Sequence, residues 1–537
     1  MRICLLFLAA ALLISDASAQ NAALSSHEIA KGAGGVSYSI PAVSGEPVVC
    51  QDGTAAGFDC RNIDLLSFLP VGAIGGGPQT VLNDIWGWTD LQTGREYALV
   101  GRSDGTSFVD VTDPANPHYL GELPSHDTTH STWRDVKVLG DYAVIVADNP
   151  IGPNGDARAH GMQLFDLRKL RDIEDTGGAP ATFDSDLVYD QFRKAHNIAV
   201  NPQSEFAYAV GSETCGGGLH MIDLSDPLDP VFAGCFADEA TGRMGSGYTH
   251  DVQCVIYDGP DVDYQGSEVC FGSNETHVSI ADVTDKGNPR SIARTDYPNA
   301  SYTHQSWLTD DHRYILVDDE LDELQTAGVT HTRTIIFDVV DLDDPQLLTE
   351  YVGVSTSIDH NQYVVGNRSF QANYTSGLRV LDISDINEPE EVGFFDTYPA
   401  NDGKGFNGAW SNYPFFDSGI VIVSSISEGL FVLVPVGPAA TGDSDAELPG
   451  DFALLAAYPN PFNSKTTIGV RVDRSQHLRL TVYDIQGREV ASLFNGRIEA
   501  SRIHEYAFDA ENLSSGIYLV HARGEFSDGY VSVAVQK

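Results

Sequence analysis

Positive charge is what this chain of 537 residues has least of: 31 Lys and Arg stand against 76 Asp and Glu, a formal balance of -45. Phosphate binding needs the opposite sign, which argues against a nucleic-acid partner. The acidity describes a solvated surface that suits a saline exterior or bound divalent cations, and it does not specify a fold. Catalytic signatures are missing as well. There is no H-E-x-x-H pair and no Walker loop. The glycine-rich "GAIGGGPQ" lacks the strand–helix context that a dinucleotide site requires and reads as a flexible loop. No C-x-x-C occurs, so the tight spacing that zinc favours is absent. Beyond the N-terminus no apolar run is long enough to span a bilayer, and no transmembrane segment is expected.

What is present begins with a leader. In "MRICLLFLAAALLISDASAQ", Arg2 is a charged n-region, Cys4 to Ile14 an apolar h-region, and Ala17-Ser18-Ala19 a small-x-small cleavage site. Residues 1–19 therefore read as a secretory signal peptide, followed by an extension at 20–48. Removing Cys4 leaves six of the seven cysteines, in near pairs: Cys50 with Cys60, Cys215 with Cys235, and Cys254 with Cys270. An even count in an exported chain predicts disulfides, and proximity favours these pairings.

A repeat dominates the middle of the chain. Ala195 to Phe236 holds four short alternating runs punctuated by Asn201-Pro202, Gly216-Gly217-Gly218 and Asp226-Pro227, which is the size of one propeller blade. The third run and its exit turn recur as "SFVDVTDPANP", "LHMIDLSDPLDP", "VSIADVTDKGNP", "TIIFDVVDLDDP" and "LRVLDISDINEP", with a degenerate "MQLFDLRKL". Their shared Asp110, Asp166, Asp223, Asp282, Asp338 and Asp382 read as turn caps, since Asp accepts local backbone N–H groups. Ahead of each first run stands a polar residue: Asn83, His130, His196, His250, His304, His360 and Asn407, spaced by 47 to 66 residues. Seven starts predict a seven-bladed β-propeller over residues 49–436. The longest interval holds an insertion, Arg168 to Lys194, with a helical-looking "LRKLRDIED". The last unit lacks a fourth run, and "NIDLLSFLPVG" lacks the other three. Asp64–Leu69 is therefore expected to complete the final blade and remove the exposed edges of an open ring; a surface strap is the other place for it.

The acidic, turn-rich stretch 437–452 reads as a linker. After it, 453–537 alternates strands with Asn/Gly turns, which suits a small Ig-like β-sandwich. The whole chain is thus all-β. Tyr458-Pro459-Asn460-Pro461-Phe462-Asn463, Val482-Tyr483-Asp484, Gly487-Arg488 and Ser515-Gly516-Ile517-Tyr518 resemble the C-terminal sorting domain of type IX secretion cargo. That resemblance implies passage through the periplasm, the type IX machinery as partner, and a final place outside the cell or on the outer-membrane surface. The segment with Cys50 and Cys60, "YTHDVQC", "YTHQSWLTDDHRY", "DDELDE", "DHNQY" and "FNGAWSNYPF" is similar to the choice-of-anchor B family, built from LVIVD-type repeats. It implies a secreted or surface life and brings no catalytic residue with it.

In a propeller the first strand of a blade is innermost, so the seven polar residues are expected around one channel mouth, with Trp86, Trp133, Trp307 and Trp410 three residues on. Two roles are open to them. Each side chain could satisfy backbone of the neighbouring blade. Alternatively, adjacent histidines with Asp84, Asp135 or Asp251 could converge on a divalent metal or an anionic ligand. A second candidate is "DDELDE", where Asp318, Asp319, Glu320, Asp322 and Glu323 could hold calcium, although the spacing is not that of an EF-hand. No cofactor is established; calcium or zinc fits these groups. His160, His220, His277 and His331 share no common position and read as surface or packing residues. The function expected is a binding or scaffold module for an unknown extracellular ligand or protein. A metal-dependent extracellular hydrolase or lyase at the histidine mouth is the alternative, and a structural coat component a third.

Overall fold

The computed structural model describes residues 40–173 and 179–436 and, beyond them, chiefly the strands of a C-terminal region between 452 and 537. The signal peptide, the extension as far as 39, the linker as far as 451 and the Tyr458–Asn463 motif lie outside the described residues. The chain divides into two compact units, 1–439 and 440–537.

The described part of the first unit is built from seven sheets, each with a core of four antiparallel strands, which in five of the sheets are consecutive in the chain. Their first strands are Leu82–Asp90, Trp133–Leu139, Asn197–Asn201, Asp251–Ile256, Thr303–Leu308, Asn361–Val365 and Ala409–Tyr413. Each packs against the first strand of the next sheet, and the last packs against the first. The apolar faces explain the closure. Sheet residues alternate between two faces, and both faces here are buried between neighbours. Ile315 and Phe337 of the fifth sheet meet Phe271 and Ile280 of the fourth, and Val364 and Leu381 of the sixth meet Leu316 and Ile336 of the fifth. Ile422 and Val432 of the seventh meet Ile85 and Val100 of the first.

The fourth strand of the seventh sheet comes from the other end of the unit. Ile63–Pro70 pairs antiparallel with Gly429–Pro435, at the place expected for Asp64–Leu69. Phe68 and Phe431 lie 4.5 Å apart in the same cluster as Phe58 and Phe395, so the closing strand is held by aromatic packing as well as by its ladder. The three disulfides are Cys50–Cys60, Cys215–Cys235 and Cys254–Cys270, as paired from the sequence.

The repeated aspartates are caps. Oδ1 of Asp110, Asp166, Asp223, Asp282, Asp338 and Asp382 each accepts the N–H two residues on. Just before this cap, five of the sheets shift register between third and fourth strands, at Phe108/Val109, Met221/Ile222, Ile280/Ala281, Ile336/Phe337 and Val380/Leu381. A bulge at a fixed place increases twist in the same way each time. The insertion after Asp166 forms a 3-10 turn, Leu167–Asp172, rather than an α-helix.

The C-terminal unit has a three-stranded and a four-stranded antiparallel sheet. Ile468 and Val470 from one, and Leu480, Val482 and Val520 from the other, share one apolar cluster.

Candidate metal centre

Strands rise about 3.3 Å per residue, so the start and end of each innermost strand lie at opposite ends of the ring. At the starting end, four histidines from the third to sixth sheets stand side by side. Their imidazole centroids are 4.3 Å apart from His196 to His250, from His250 to His304, and from His304 to His360. The repeat places them: His196, His250 and His360 immediately precede their strands, and His304 is the second residue of Thr303–Leu308.

Every one of the four uses Nδ1 in the same way. His196 donates to Asp148 Oδ2 at 3.0 Å, His250 to the His304 carbonyl at 3.1 Å, His304 to Asp318 Oδ1 at 3.1 Å, and His360 to the Trp410 carbonyl at 2.6 Å. These oxygens accept, so the ring proton is held on Nδ1 and the lone pair is left on Nε2. Among the described residues, no Nε2 of the four takes a hydrogen bond. Burial, reinforced by the neighbouring imidazoles, holds His250 and His304 well below the usual histidine range, and burial holds His360 at about 3. The last three are therefore neutral at neutral pH, the form that binds metal.

Glu320 completes the set. Its Oε1 lies 3.8 Å from His360 Nε2 and accepts the Tyr374 hydroxyl at 2.7 Å. Burial pushes its carboxyl up to about 7, against the Tyr374 hydrogen bond. The ligand atoms of His304, Glu320 and His360 all lie within 4.8 Å of one another. Two imidazoles and one carboxylate with an open side is a donor set for zinc or a similar transition metal. Asp318 stands behind His304; burial pushes its carboxyl well up, and Asp251 and Glu320 add to the effect.

The other residues singled out from the sequence separate. His130 lies three residues before Trp133–Leu139, exposed, in a backbone bridge with Ile151. Asn83 is the second residue of its strand, the register that His304 has in the fifth sheet, and its Nδ2 donates to the Thr132 carbonyl. Asn407 precedes its strand by two residues, and a shift follows at Ala409. The Trp410 carbonyl receives His360 as the His304 carbonyl receives His250, so Trp410 stands where a histidine stands elsewhere. The expected ring of seven is thus an arc of four. The tryptophans divide accordingly: Trp133 and Trp410 cluster with Tyr374 near the histidines, while Trp86 and Trp307 lie at the far end.

The aspartates do not join the histidines either. Asp84 and Asp135 are both bridged by Lys137, and they accept the N–H groups of Val136 and Ile198 from the next sheets. Asp251, which follows His250 in the chain, lines a cavity of about 580 Å³ with Trp86, Trp307, Tyr363, Tyr413 and Phe415, and none of the four histidines is among its lining residues. The acidic string 318–323 is also split. Asp318 and Asp319 end a buried strand and cap backbone: Gln305 N–H for one, Ser301 and Tyr302 N–H for the other. Glu320 goes to the histidines, and Asp322 and Glu323 meet Asp359. His160 and His220 are buried packing residues; His277 and His331 are half-buried. Sequence reasoning missed the pairing of Glu320 with the histidines, and the roles of Asp148 and Tyr374. No spacing in the sequence marks these partners, which lie in or just after other strands of the same or neighbouring sheets.

Residues 456–531 match the secretion system C-terminal sorting domain, and residues 363–397 match the LVIVD repeat. No curated protein matches the chain. Among solved structures it is similar to PorZ, a surface component of the type IX secretion system of Porphyromonas gingivalis, at 11% identity over 84% of this chain with TM-score 0.42. The chain spans 59% of the length of that protein. A functionally unknown protein from Desulfotomaculum acetoxidans shares 12% identity over 66% of this chain and 96% of its own, with TM-score 0.40. The C-terminal WD40 domain of Sif2 shares 7% over 71% and 92%, with TM-score 0.38. No helix among the described residues is long and apolar enough to cross a membrane. The chain carries an LVIVD repeat and ends in a type IX secretion sorting domain, and it is exported to the cell surface or the extracellular space.

Proposed function

We propose that residues 49–436 form a seven-bladed β-propeller that works outside the cell as a binding module, and that its histidine end captures a divalent transition-metal ion. His304 and His360 hold the ion through Nε2 and Glu320 through its carboxylate, with His250 and His196 continuing the arc. The C-terminal unit, read as an Ig-like sandwich, delivers the module to the type IX machinery. The metal reading starts from the uniform use of Nδ1. Four rings each donate Nδ1–H to an oxygen and keep an unpartnered Nε2. Repetition alone would suit a structural role as well; the observation that carries the metal reading is that the free Nε2 atoms of His304 and His360 stand beside the Glu320 carboxylate. Acceptors behind Nδ1 orient and strengthen a metal-binding imidazole, and a cation on His304 would also compensate the buried Asp318.

Calorimetric titration of chelator-treated full-length protein with zinc tests this. One ion per chain is expected, and Asp318→Asn, which touches no ligand atom, should weaken binding by roughly 10- to 100-fold. Absence of binding heat for zinc, cobalt and nickel alike would sink the proposal. The three-residue donor set also favours a second role. Such a set leaves a coordination position for water or substrate, as in metal-dependent hydrolysis. Ester, glycoside or phosphoester turnover lost in Glu320→Gln would establish it, and no turnover with the ion bound would leave binding alone.

A further inference from the structure

Next to the histidine end, and independent of it, lies a second cluster of acids. Asp322 and Glu323 come from the short turn Asp322–Gln325 after the second strand of the fifth sheet, and Asp359 precedes the first strand of the sixth. They are 0%, 3% and 3% exposed. One oxygen from each lies within 4.8 Å of the other two. Three carboxylates this close and this dry repel one another unless a positive charge or a proton stands between them.

The neighbours supply only part of that charge. Arg333 Nε donates to Asp322 Oδ2. Both oxygens of Asp359 are taken by main chain, Oδ1 by the Asp319 N–H and Oδ2 by the Arg333 N–H, each at 2.9 Å. Lys404 spends its ammonium on the Glu323 carbonyl rather than on a carboxylate. Asp322 Oδ1 and Glu323 Oε2 are buried with no hydrogen-bond partner outside the three acids themselves. Buried carboxylate oxygens without partners cost several kcal/mol when charged, so a fold that keeps two of them facing a third acid has a use for the arrangement.

We infer that Asp322, Glu323 and Asp359 bind a hard divalent cation of the calcium class. An all-oxygen, anionic donor set selects such ions over zinc. Nothing beyond these carboxylates is assigned as a ligand; water or main-chain oxygens fill the remaining positions. The ion ties the fifth sheet to the sixth. It also fixes the segments next to Glu320 and His360, since Asp359 adjoins His360 in sequence.

Full-length protein treated with EGTA, exchanged into metal-free buffer and titrated with calcium tests the site. One ion per chain should bind, and the melting temperature should rise by about 3 °C at a hundredfold excess over the dissociation constant. Magnesium should act more weakly. Glu323→Gln gives the decisive sign. Without calcium it removes repulsion and should melt higher than the wild type, whereas with calcium it should gain nothing and melt lower. His304→Ala and His360→Ala should keep the calcium response while losing zinc, which separates failure here from failure at the histidines. No heat and no thermal shift with calcium, magnesium or manganese would overturn the inference, as would a Glu323→Gln protein stabilised equally with and without calcium. Those results would mean that a trapped proton alone holds the acids together.

Discussion

Replacing His160 by glutamine isolates one proton in the acid response of the first unit. Arg134, in the innermost strand of the second sheet, is buried yet hydrogen-bonds no carboxylate. Its Nε donates to the Arg102 carbonyl at 2.8 Å, Nη2 to Ser125 Oγ at 2.7 Å, and Nη1 to His160 Nε2 at 2.9 Å. His160 Nδ1 in turn donates to the Gly161 carbonyl. Its Nε2 must therefore be the acceptor, and the ring neutral. Burial, with Arg134 adding repulsion, holds His160 at about 3 against an ordinary value of 6.5. A base with a depressed folded value binds fewer protons in the fold than in the unfolded chain, so its contribution is complete above pH 6.5 and is lost as the pH falls towards 3. Near pH 5 the loss is about 2 kcal/mol, growing by roughly 1.4 kcal/mol for each further unit. Glutamine keeps an acceptor for Arg134 and a donor for Gly161 and does not titrate. Melting or urea unfolding of both proteins from pH 8 to 5 should show the variant less stable at pH 8 by about 1–2 kcal/mol and the difference closing by pH 5. Parallel pH profiles would refute the assignment of a neutral, accepting His160.

Phe68→Ala should cost about 3–5 kcal/mol, because a buried ring against Phe431 and Phe58 is lost from the closing strand; urea midpoints within 1 kcal/mol of wild type would show that this strand does not close the ring. Asp396 works in the opposite sense to His160: burial pushes its carboxyl up to about 7. The fold then holds a proton that the unfolded chain releases from its ordinary value of 3.8 upwards, so its contribution is lost as the pH rises from there through 7. Asp396→Asn, which keeps the acceptor for the Tyr398 N–H, should gain on the wild type by about 2–3 kcal/mol between pH 5 and pH 8; thermal melts at both values check it. Ending the chain at 436 should leave the first unit in the periplasm, read by cell fractionation, because the sorting domain at 456–531 is removed.

Periodicity made the sheets legible before any coordinates. The Asp-x-x-Asp turns recur because every third strand needs the same cap, and the missing fourth run of the last sheet pointed to Ile63–Pro70. Register was harder. A three-residue offset moves a side chain by about 10 Å along a strand, so His130 and Asn407, which share the histidines' place in the sequence repeat, fall outside the arc, and Trp410 takes the place expected for Asn407. The offset lies in the segments leading into the strands, which begin three residues after His130 and two after Asn407, and no residue type announces those lengths. Nor could spacing divide "DDELDE". Successive side chains at the end of a buried strand point to different faces, which sends Asp318 and Asp319 to backbone, Glu320 to the histidines and Asp322 with Glu323 to Asp359, from another sheet.

Crystals of the zinc-treated protein, measured above and below the zinc absorption edge, test the metal centre most directly. A single anomalous peak is expected at the histidine end, about 2.0–2.2 Å from Nε2 of His304 and His360 and from a carboxylate oxygen of Glu320. Nε2 atoms hydrogen-bonded to protein or solvent, with no peak there and zinc bound elsewhere or not at all, would contradict it.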